Sequence, residues 1–188
     1  YQIGHMYFRY FMWNFVGKQN DIQGHGNSTE GNWISGIPFI DDIFIDEHAD
    51  LMPDSLAKNK ARNKLYGLPL ILGLIGIFFH FNSSRKDFFI LFLLIFFTGL
   101  AIVLFLNQYP FQPRERDYAY SGSFYAFAIW IGIGVYGIFD YIKNKLPEKL
   151  SAILATVLCL TVPTVMAKAE WDDHDRSNTY TARDFAKN

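Results

Sequence analysis

Two arginines near the middle of the chain carry the side chains best suited to binding a phosphate group. Arg114 and Arg116 alternate with Glu115 and Asp117, and an apolar run without any charge then covers residues 119–139. A guanidinium group binds phosphate oxygens through a planar pair of hydrogen bonds. A charged turn that leads into an uncharged apolar run is typical of a membrane surface. The pattern therefore indicates a lipid-linked phosphate as ligand.

A polar stripe is predicted to continue from this turn into the apolar run. If a helix starts near Arg114, then Tyr118, Ser121 and Tyr125 follow it on the same face. We expect Arg114, Arg116 and Tyr118 to bind the phosphate of a donor, and Ser121 and Tyr125 to face its substrate. The alternative is a local turn in which the two arginines pair with their acidic neighbours and only fix the loop.

Two acidic clusters are the other candidate sites, because carboxylate oxygens are ligands for divalent cations. Neither cluster has a regular ligand spacing, so a solvated loop and a solvated helix start are favoured and no metal is predicted. The chain also has no nucleophile–base pair, phosphate-binding glycine loop or zinc spacing, and its catalytic residues stay unassigned. The clusters comprise Asp41, Asp42, Asp46, Glu47, His48 and Asp50, and Asp172, Asp173, His174 and Asp175.

Four long apolar runs position these candidates. They cover residues 65–82, 88–107, 119–139 and 150–168, and each is near the about 20 residues that span a bilayer as a helix. None alternates with period two, which excludes a barrel. The sequence predicts an all-α polytopic membrane protein with about four transmembrane helices. A net charge of −1 gives no basic field for nucleic acid, and the lone Cys159 excludes an intrachain disulfide.

Polar segments flank the four runs on both sides. Residues 1–64 are predicted to be a region of outward-facing loops. Its aromatic start, residues 1–17, is interpreted as an interfacial helix or as the end of a further span, with a soluble core helix as the alternative. A short helix is predicted over residues 52–64. The four-helix region covers residues 65–168, and residues 169–188 are expected to start an outward soluble domain with a helix from Thr181.

The charges of the short links predict the orientation. The link after the first run carries Arg85 and Lys86, and the link after the third carries three lysines between residues 140 and 149. Excess lysine and arginine marks the cytoplasmic side. We therefore expect residues 83–87 and 140–149 in the cytoplasm and residues 108–118 outside.

Within the spans, His80 is expected to be a packed or snorkelling residue, and Pro163 is expected to kink the fourth span. The small residues of the third and fourth spans are interpreted as helix-packing positions. Small side chains let membrane helices approach closely. In the third and fourth spans these are Gly132, Gly134, Gly137, Ser151, Ala152, Ala155 and Thr156.

Three segments carry a resemblance to a known family. They are MYFRYFMWNFVGKQNDIQG (6–24), FLNQYPFQPRERDYAYSGSFYAFAIWIG (105–132) and WDDHDRSNTYTARDFAKN (171–188). They resemble bacterial multi-spanning proteins long catalogued as a domain of unknown function and now placed with the protein O-mannosyltransferases of the GT-C membrane class. The resemblance covers nearly the whole chain, and the middle segment is its most specific part.

The resemblance implies a membrane glycosyltransferase of the bacterial inner (cytoplasmic) membrane, with its active face in the periplasm. Such an enzyme moves a sugar, here expected to be mannose, from a polyprenyl-phosphate carrier to Ser or Thr of exported proteins. The partners implied are membrane lipid, the lipid-linked donor and the acceptor protein, with no other cofactor. It also implies that this chain is an internal fragment and that the catalytic acid lies outside it. The alternatives are a transporter or flippase for a lipid-linked substrate and a non-enzymatic membrane scaffold.

Overall fold

The computed structural model describes residues 1–22, 24, 28–45, 53, 57–109, 116–171 and 180–187. Within these residues the protein is mostly helical. Three helices are long and apolar enough to cross a membrane: Arg85–Leu106, Asp117–Lys143 and Glu148–Glu170. The fold thus agrees with the all-α class, and with spans at the second, third and fourth apolar runs.

The first predicted span forms a shorter helix than the other three. Helix α3 covers Leu68–Ser83, 16 residues, or about 24 Å at 1.5 Å per residue, against the about 30 Å of a bilayer core. The backbone limits both ends. Tyr66 and Gly67 have positive φ angles of 55° and 63°, and Ser84 is extended with φ −146° and ψ 97°. The helix therefore cannot continue in either direction.

The described residues before α3 form a polar region of short helices and strands. A π-helical segment, Gln2–Phe8, continues directly into α1, Arg9–Phe15. A two-residue strand β1, Gly17–Lys18, pairs antiparallel with β2, Asn63–Lys64, in the register Gly17↔Lys64 and Lys18↔Asn63. Helix α2, Pro38–Ile45, lies between the two strands in sequence.

Two sequence predictions in this region need correction. No strand was predicted, and the helix expected over residues 52–64 does not reach its predicted end, where Asn63–Lys64 form β2. Residues 52 and 54–56 of that helix lie outside the described part of the chain. Gly17 is the physical reason for the strand pair, because a Cβ at this position would lie 2.5 Å from the carbonyl oxygen of Asn63 and 2.7 Å from that of Ile34. Only glycine permits this close backbone approach, and its φ of 150° favours glycine as well.

The remaining helices follow the sequence prediction closely. The second span consists of α4, Arg85–Phe96, a π-helical segment, Phe97–Ala101, and α5, Ile102–Leu106. A 3₁₀ turn, Asp117–Tyr120, leads into α6, Ser121–Lys143. Helix α7 covers Glu148–Glu170 with Pro163 inside it, and α8 covers Thr181–Lys187. The tail helix therefore starts at the predicted Thr181.

Apolar helices that follow one another along the chain run in opposite directions. The start of α3 meets the start of α6, since Gly73 lies against Phe127, and the ends of these helices meet at Phe79 and Gly137. Phe88, near the start of α4, stacks on Trp130 of α6, whereas the later segment at Gly99 lies beside the beginning of α6. Helices α3 and α6 are therefore parallel, and the second span runs antiparallel to both.

Glycines bring the backbones of α3 and α6 into contact. A Cβ on Gly76 would collide with the carbonyl oxygen of Trp130, and a Cβ on Gly134 would collide with that of Leu72. Gly134 and Gly137 were predicted as packing residues, and the structure puts them against α3. Gly132 has no atom within 4 Å of an added Cβ. In α7, Ser151 and Ala155 are buried, whereas Ala152 and Thr156 are exposed, so only half of the predicted small residues of that helix pack.

Candidate functional site

The predicted phosphate-binding turn belongs to the segment that connects α5 with the 3₁₀ turn at Asp117. Arg114 falls in residues 110–115, outside the described part of the chain. Arg116 is described and exposed, and its backbone (φ −113°, ψ 52°) is not helical. Helical geometry begins at Asp117, so the assumption of a helix starting near Arg114 is wrong. An acidic residue in the first turn suits a helix N-terminus, which attracts negative charge.

The other predicted site residues lie on one exposed face. Tyr118, Ser121 and Tyr125 are all exposed, Tyr125 to 78%. The Ser121 hydroxyl donates a hydrogen bond to the carbonyl oxygen of Tyr118 at 2.9 Å, which fixes the transition from the 3₁₀ turn to α6. The opposite face is buried through Tyr120 and Ser123. Four of the five predicted residues are therefore described and exposed, and Ser121 is hydrogen-bonded to the backbone of Tyr118.

The N-terminal helix forms the packing behind this face. The Tyr7 hydroxyl donates to Ser123 Oγ at 3.0 Å, and the Ser123 hydroxyl donates to the carbonyl oxygen of Tyr120 at 2.7 Å. Tyr7 also packs on the rings of Tyr120 and Phe124. Burial raises the pKa of Tyr7, and the hydrogen bond to Ser123 acts in the opposite direction. Tyr7 is therefore a neutral hydrogen-bond donor. Its contacts hold Ser123 and Tyr120, which lie on the buried side of the segment that exposes Tyr118, Ser121 and Tyr125.

Two glutamines add polar atoms at the end of α5. Gln2 Nε2 donates to the backbone carbonyl oxygen of Gln108, and the Gln108 side chain is only 6% exposed. Among the described residues, the buried Oε1 atoms of both glutamines have no hydrogen-bond partner. The sequence prediction placed Gln108 in the outward turn, where water would solvate it. The structure buries it, because the N-terminal helix covers this end of the bundle.

Arg9 is a charged residue that the sequence prediction gave no role. It is 5% exposed, and its Nε and one terminal nitrogen donate to the carbonyl oxygens of His5 and Gly31 at 3.0 and 3.3 Å. Its guanidinium also lies over the rings of Tyr10 and Trp13. Arg9 therefore ties the N-terminal helix to the loop after β1. The signal for this role was the position of one arginine in an otherwise apolar helix.

The acidic candidates form no cation site in the described residues. Asp41 is buried, and its carboxylate accepts hydrogen bonds from the backbone N–H groups of Ser35 at 2.6 Å and Gly36 at 2.9 Å. Asp42 is exposed beside it. In the part of the chain that the structure describes, no three His, Cys, Asp or Glu side chains converge. Residues 46, 47, 48 and 50 and the cluster at 172–175 lie outside that part.

His80 is packed, as the sequence prediction allowed. Its Nδ1 accepts a hydrogen bond of 3.2 Å from Trp130 Nε1, and its ring meets Phe88 edge to face. An acceptor Nδ1 requires the neutral ring to carry its proton on Nε2. The histidine therefore joins three helices, α3, α4 and α6.

An apolar cleft of about 320 Å³ lies between α3, α6 and α7. Its walls are mainly hydrocarbon side chains, with the lone cysteine, Thr156 and the proline inside α7, and they include no charged group. Such a lining suits an apolar ligand better than a phosphate. The lining includes Pro69, Leu72, Val135, Cys159, Pro163 and Met166.

Comparisons with known proteins add no relative to this description. No protein-family model matches the chain, and searches of curated proteins and of solved structures also give no match.

Proposed function

We propose that this chain is part of a membrane glycosyltransferase that uses a polyprenyl-phosphate-linked sugar as donor and Ser or Thr of exported proteins as acceptor. Mannose is the proposed sugar, as the family resemblance implies. The observation that carries the proposal is the exposed stripe of Arg116, Tyr118, Ser121 and Tyr125 at the start of an apolar helix. In the proposed topology, the cation and the hydroxyl groups of this stripe would lie at the depth of a carrier phosphate and its sugar.

The proposed topology has four spans. Helix α3 is the short fourth member, and its contact along α6 supports this assignment because the partner helix is long enough to cross a membrane. The links at residues 83–87 and 140–149 are assigned to the cytoplasm, and the end that carries Arg116 is assigned to the periplasm. The protein would be a multi-pass protein of the inner membrane.

In the proposed reaction, the acceptor hydroxyl attacks the anomeric carbon of the sugar while a carboxylate base takes its proton. The new bond joins that oxygen to the sugar, and the bond between the sugar and the carrier phosphate breaks. Arg116 and Arg114 would stabilise the negative charge on the departing phosphate. Tyr118, Ser121 and Tyr125 would hold the donor by hydrogen bonds. The carboxylate base is proposed to lie outside this chain.

The two alternatives have less support. A transporter for a lipid-linked substrate would need ionisable groups deep in its spans. Among the described residues of the four apolar helices, the charged side chains lie in the end turns, and His80 is engaged with Trp130. A scaffold would not need an exposed arginine followed by two exposed tyrosines and an exposed serine.

The test measures sugar transfer by the purified full-length protein while the lipid-linked donor is titrated. Arg116→Ala should weaken apparent donor affinity roughly ten- to a hundredfold, because a hydrogen bond to a charged group contributes about 1.5–3 kcal/mol. Arg116→Lys should restore part of this loss, since lysine keeps the charge without the planar fork. Arg85→Ala is the matched control at the other end of the bundle, where the guanidinium lies over Phe81.

A second variant separates donor binding from the ion-pair turn. Glu115→Ala would lower thermal stability as much as Arg116→Ala if the arginine only paired with acidic neighbours. A folded Arg116→Ala protein with unchanged donor affinity would contradict the proposal.

A further inference from the structure

Helix α2 presents an apolar face to its surroundings. Phe39 is 75% exposed and Ile43 is 64% exposed, and a spacing of four residues puts both on one side of a helix. Ile37, just before the helix, is exposed as well. Large apolar side chains that cluster on one side of a short helix require a partner that removes them from water.

The opposite side of α2 is fixed to the loop that precedes it. The Asp41 carboxylate accepts hydrogen bonds from the N–H groups of Ser35 and Gly36, and Asp41 is 8% exposed. The Ser35 hydroxyl also accepts a hydrogen bond from the N–H group of Ile37. Because a buried carboxylate holds one side of α2 inward, the helix cannot rotate to bury Phe39 and Ile43 within its own region.

The start of α2 lies directly beside the start of α3. A Cβ on Gly36 would lie 2.9 Å from Lys64 Cβ and 3.2 Å from a ring carbon of Tyr66. Lys64 belongs to β2, and Tyr66 comes two residues before the first residue of α3. Helix α2 therefore begins where the polar region meets the apolar helices.

Exposed aromatic side chains mark the same level on the neighbouring helices. Tyr66 precedes α3, Tyr118 lies in the turn before α6, and Trp171 follows the end of α7; all three are exposed. Tyrosine and tryptophan concentrate where the headgroups meet the hydrocarbon of a bilayer. If the apolar helices span a bilayer, the beginning of α2, against Tyr66, is at this boundary.

We propose that α2 lies on the membrane surface and inserts Phe39 and Ile43 into the lipid. Lipid at the boundary between headgroups and acyl chains would cover this apolar face, on the side of the membrane that carries Arg116. The described residues of α2 include no lysine or arginine, so contact rests on apolar burial and does not need anionic lipid. This inference goes beyond the proposed function and does not depend on it.

Spin-label accessibility in the full-length protein tests the inference. The protein carries Cys159→Ser and one new cysteine, at Phe39, Ile43 or Asp21, and is reconstituted into phosphatidylcholine vesicles. Asp21 is the aqueous control because its side chain is 68% exposed. Collisions with oxygen, which concentrates in lipid, are compared with collisions with a water-soluble nickel chelate. The oxygen-to-nickel ratio should be severalfold higher for labels at 39 and 43 than for the label at 21.

Other outcomes overturn the inference. If nickel dominates at 39 and 43 as it does at 21, the face is in water. If neither reagent reaches the two labels, another protein segment covers the face. Because all three labels replace exposed side chains, they leave the core of the Cys159→Ser parent protein unchanged. A thermal midpoint equal to that of the unlabelled parent checks this for each labelled protein.

Discussion

Buried polar side chains do much of the positioning in this protein. Arg9 donates hydrogen bonds to two backbone carbonyl oxygens, and Asp41 accepts hydrogen bonds from two backbone N–H groups. Gln19 and Asn20 are also buried and hold the loop after β1 through its backbone at residues 28–32. Such groups are costly to bury unless they are hydrogen-bonded. The polar region is therefore a fixed structure that lies on the apolar helices.

The hydrogen bond between Tyr7 and Ser123 gives a test at the residue scale. Tyr7→Phe keeps the ring that packs on Tyr120 but removes the donor, and should lower the free energy of unfolding by about 0.5–1.5 kcal/mol. Tyr125→Phe is the matched control, because its exposed hydroxyl supports no packing. Denaturation in detergent should separate the two variants. Equal stabilities would show that the Tyr7 hydroxyl contributes nothing.

The raised pKa of Tyr7 also predicts that the unfolding free energies of the wild type and of Tyr7→Phe depend differently on pH. In the unfolded chain tyrosine ionises near pH 10, whereas the buried Tyr7 keeps its proton to a higher pH. The unfolded state therefore gains stability from ionisation above about pH 10. The wild type should lose unfolding free energy over that range, and Tyr7→Phe should lose less. Parallel pH curves for the two proteins would contradict this.

Among the elements, the crossing of α3 and α6 depends most strictly on residue size. Gly73 and Gly76 come from one helix and Gly134 and Gly137 from the other, and each lies against a side chain or carbonyl group of the partner. In a bilayer, helices gain little from hydrophobic association and depend on close packing. The crossing therefore tolerates no side chain at its closest points.

Two glycines in α6 provide a matched pair for this test. Gly134→Ala places a methyl group against the Leu72 carbonyl oxygen and should cost about 1–3 kcal/mol or more through forced backbone shifts. Gly132→Ala adds the same group where nothing lies within 4 Å, and should be neutral or slightly stabilising because alanine favours helix. Thermal midpoints in detergent measure both. Equal losses would contradict the close crossing.

The sequence predicted the long helices well because composition alone determines them. The runs at 88–107, 119–139 and 150–168 contain enough consecutive apolar residues for a span. It could not predict the strand pair, since β1 and β2 are two residues each and more than 40 residues apart. At the candidate site it identified the exposed residues Tyr118, Ser121 and Tyr125. It missed the burial of Gln108, which contacts Gln2 about a hundred residues earlier, and the burial of Arg9, which bonds the loop at Gly31.

The orientation of the whole molecule remains a prediction that thiol labelling can test. In a Cys159→Ser protein, single cysteines replace Ser84, Tyr109 or Asn144. Tyr109 is exposed, unlike the neighbouring Gln108, so its replacement reacts freely. A membrane-impermeant thiol reagent added to intact cells with a permeabilised outer membrane should label only position 109. Labelling of 84 or 144 would reverse the orientation and move Arg116 to the cytoplasm.

The contact between α3 and α6 also imposes an order on the protein's biogenesis. Gly76 leaves the ribosome roughly 60 residues before Gly134, which corresponds to about 3–12 s at ~5–20 residues per second. During that interval α3 is a short apolar helix whose own partner has not been made, and only the second span is available beside it. The insertion machinery, or the hairpin formed with α4, must therefore shelter the glycine face of α3 until α6 arrives. Stalling translation between these two helices would leave α3 as the segment most exposed to quality-control proteolysis.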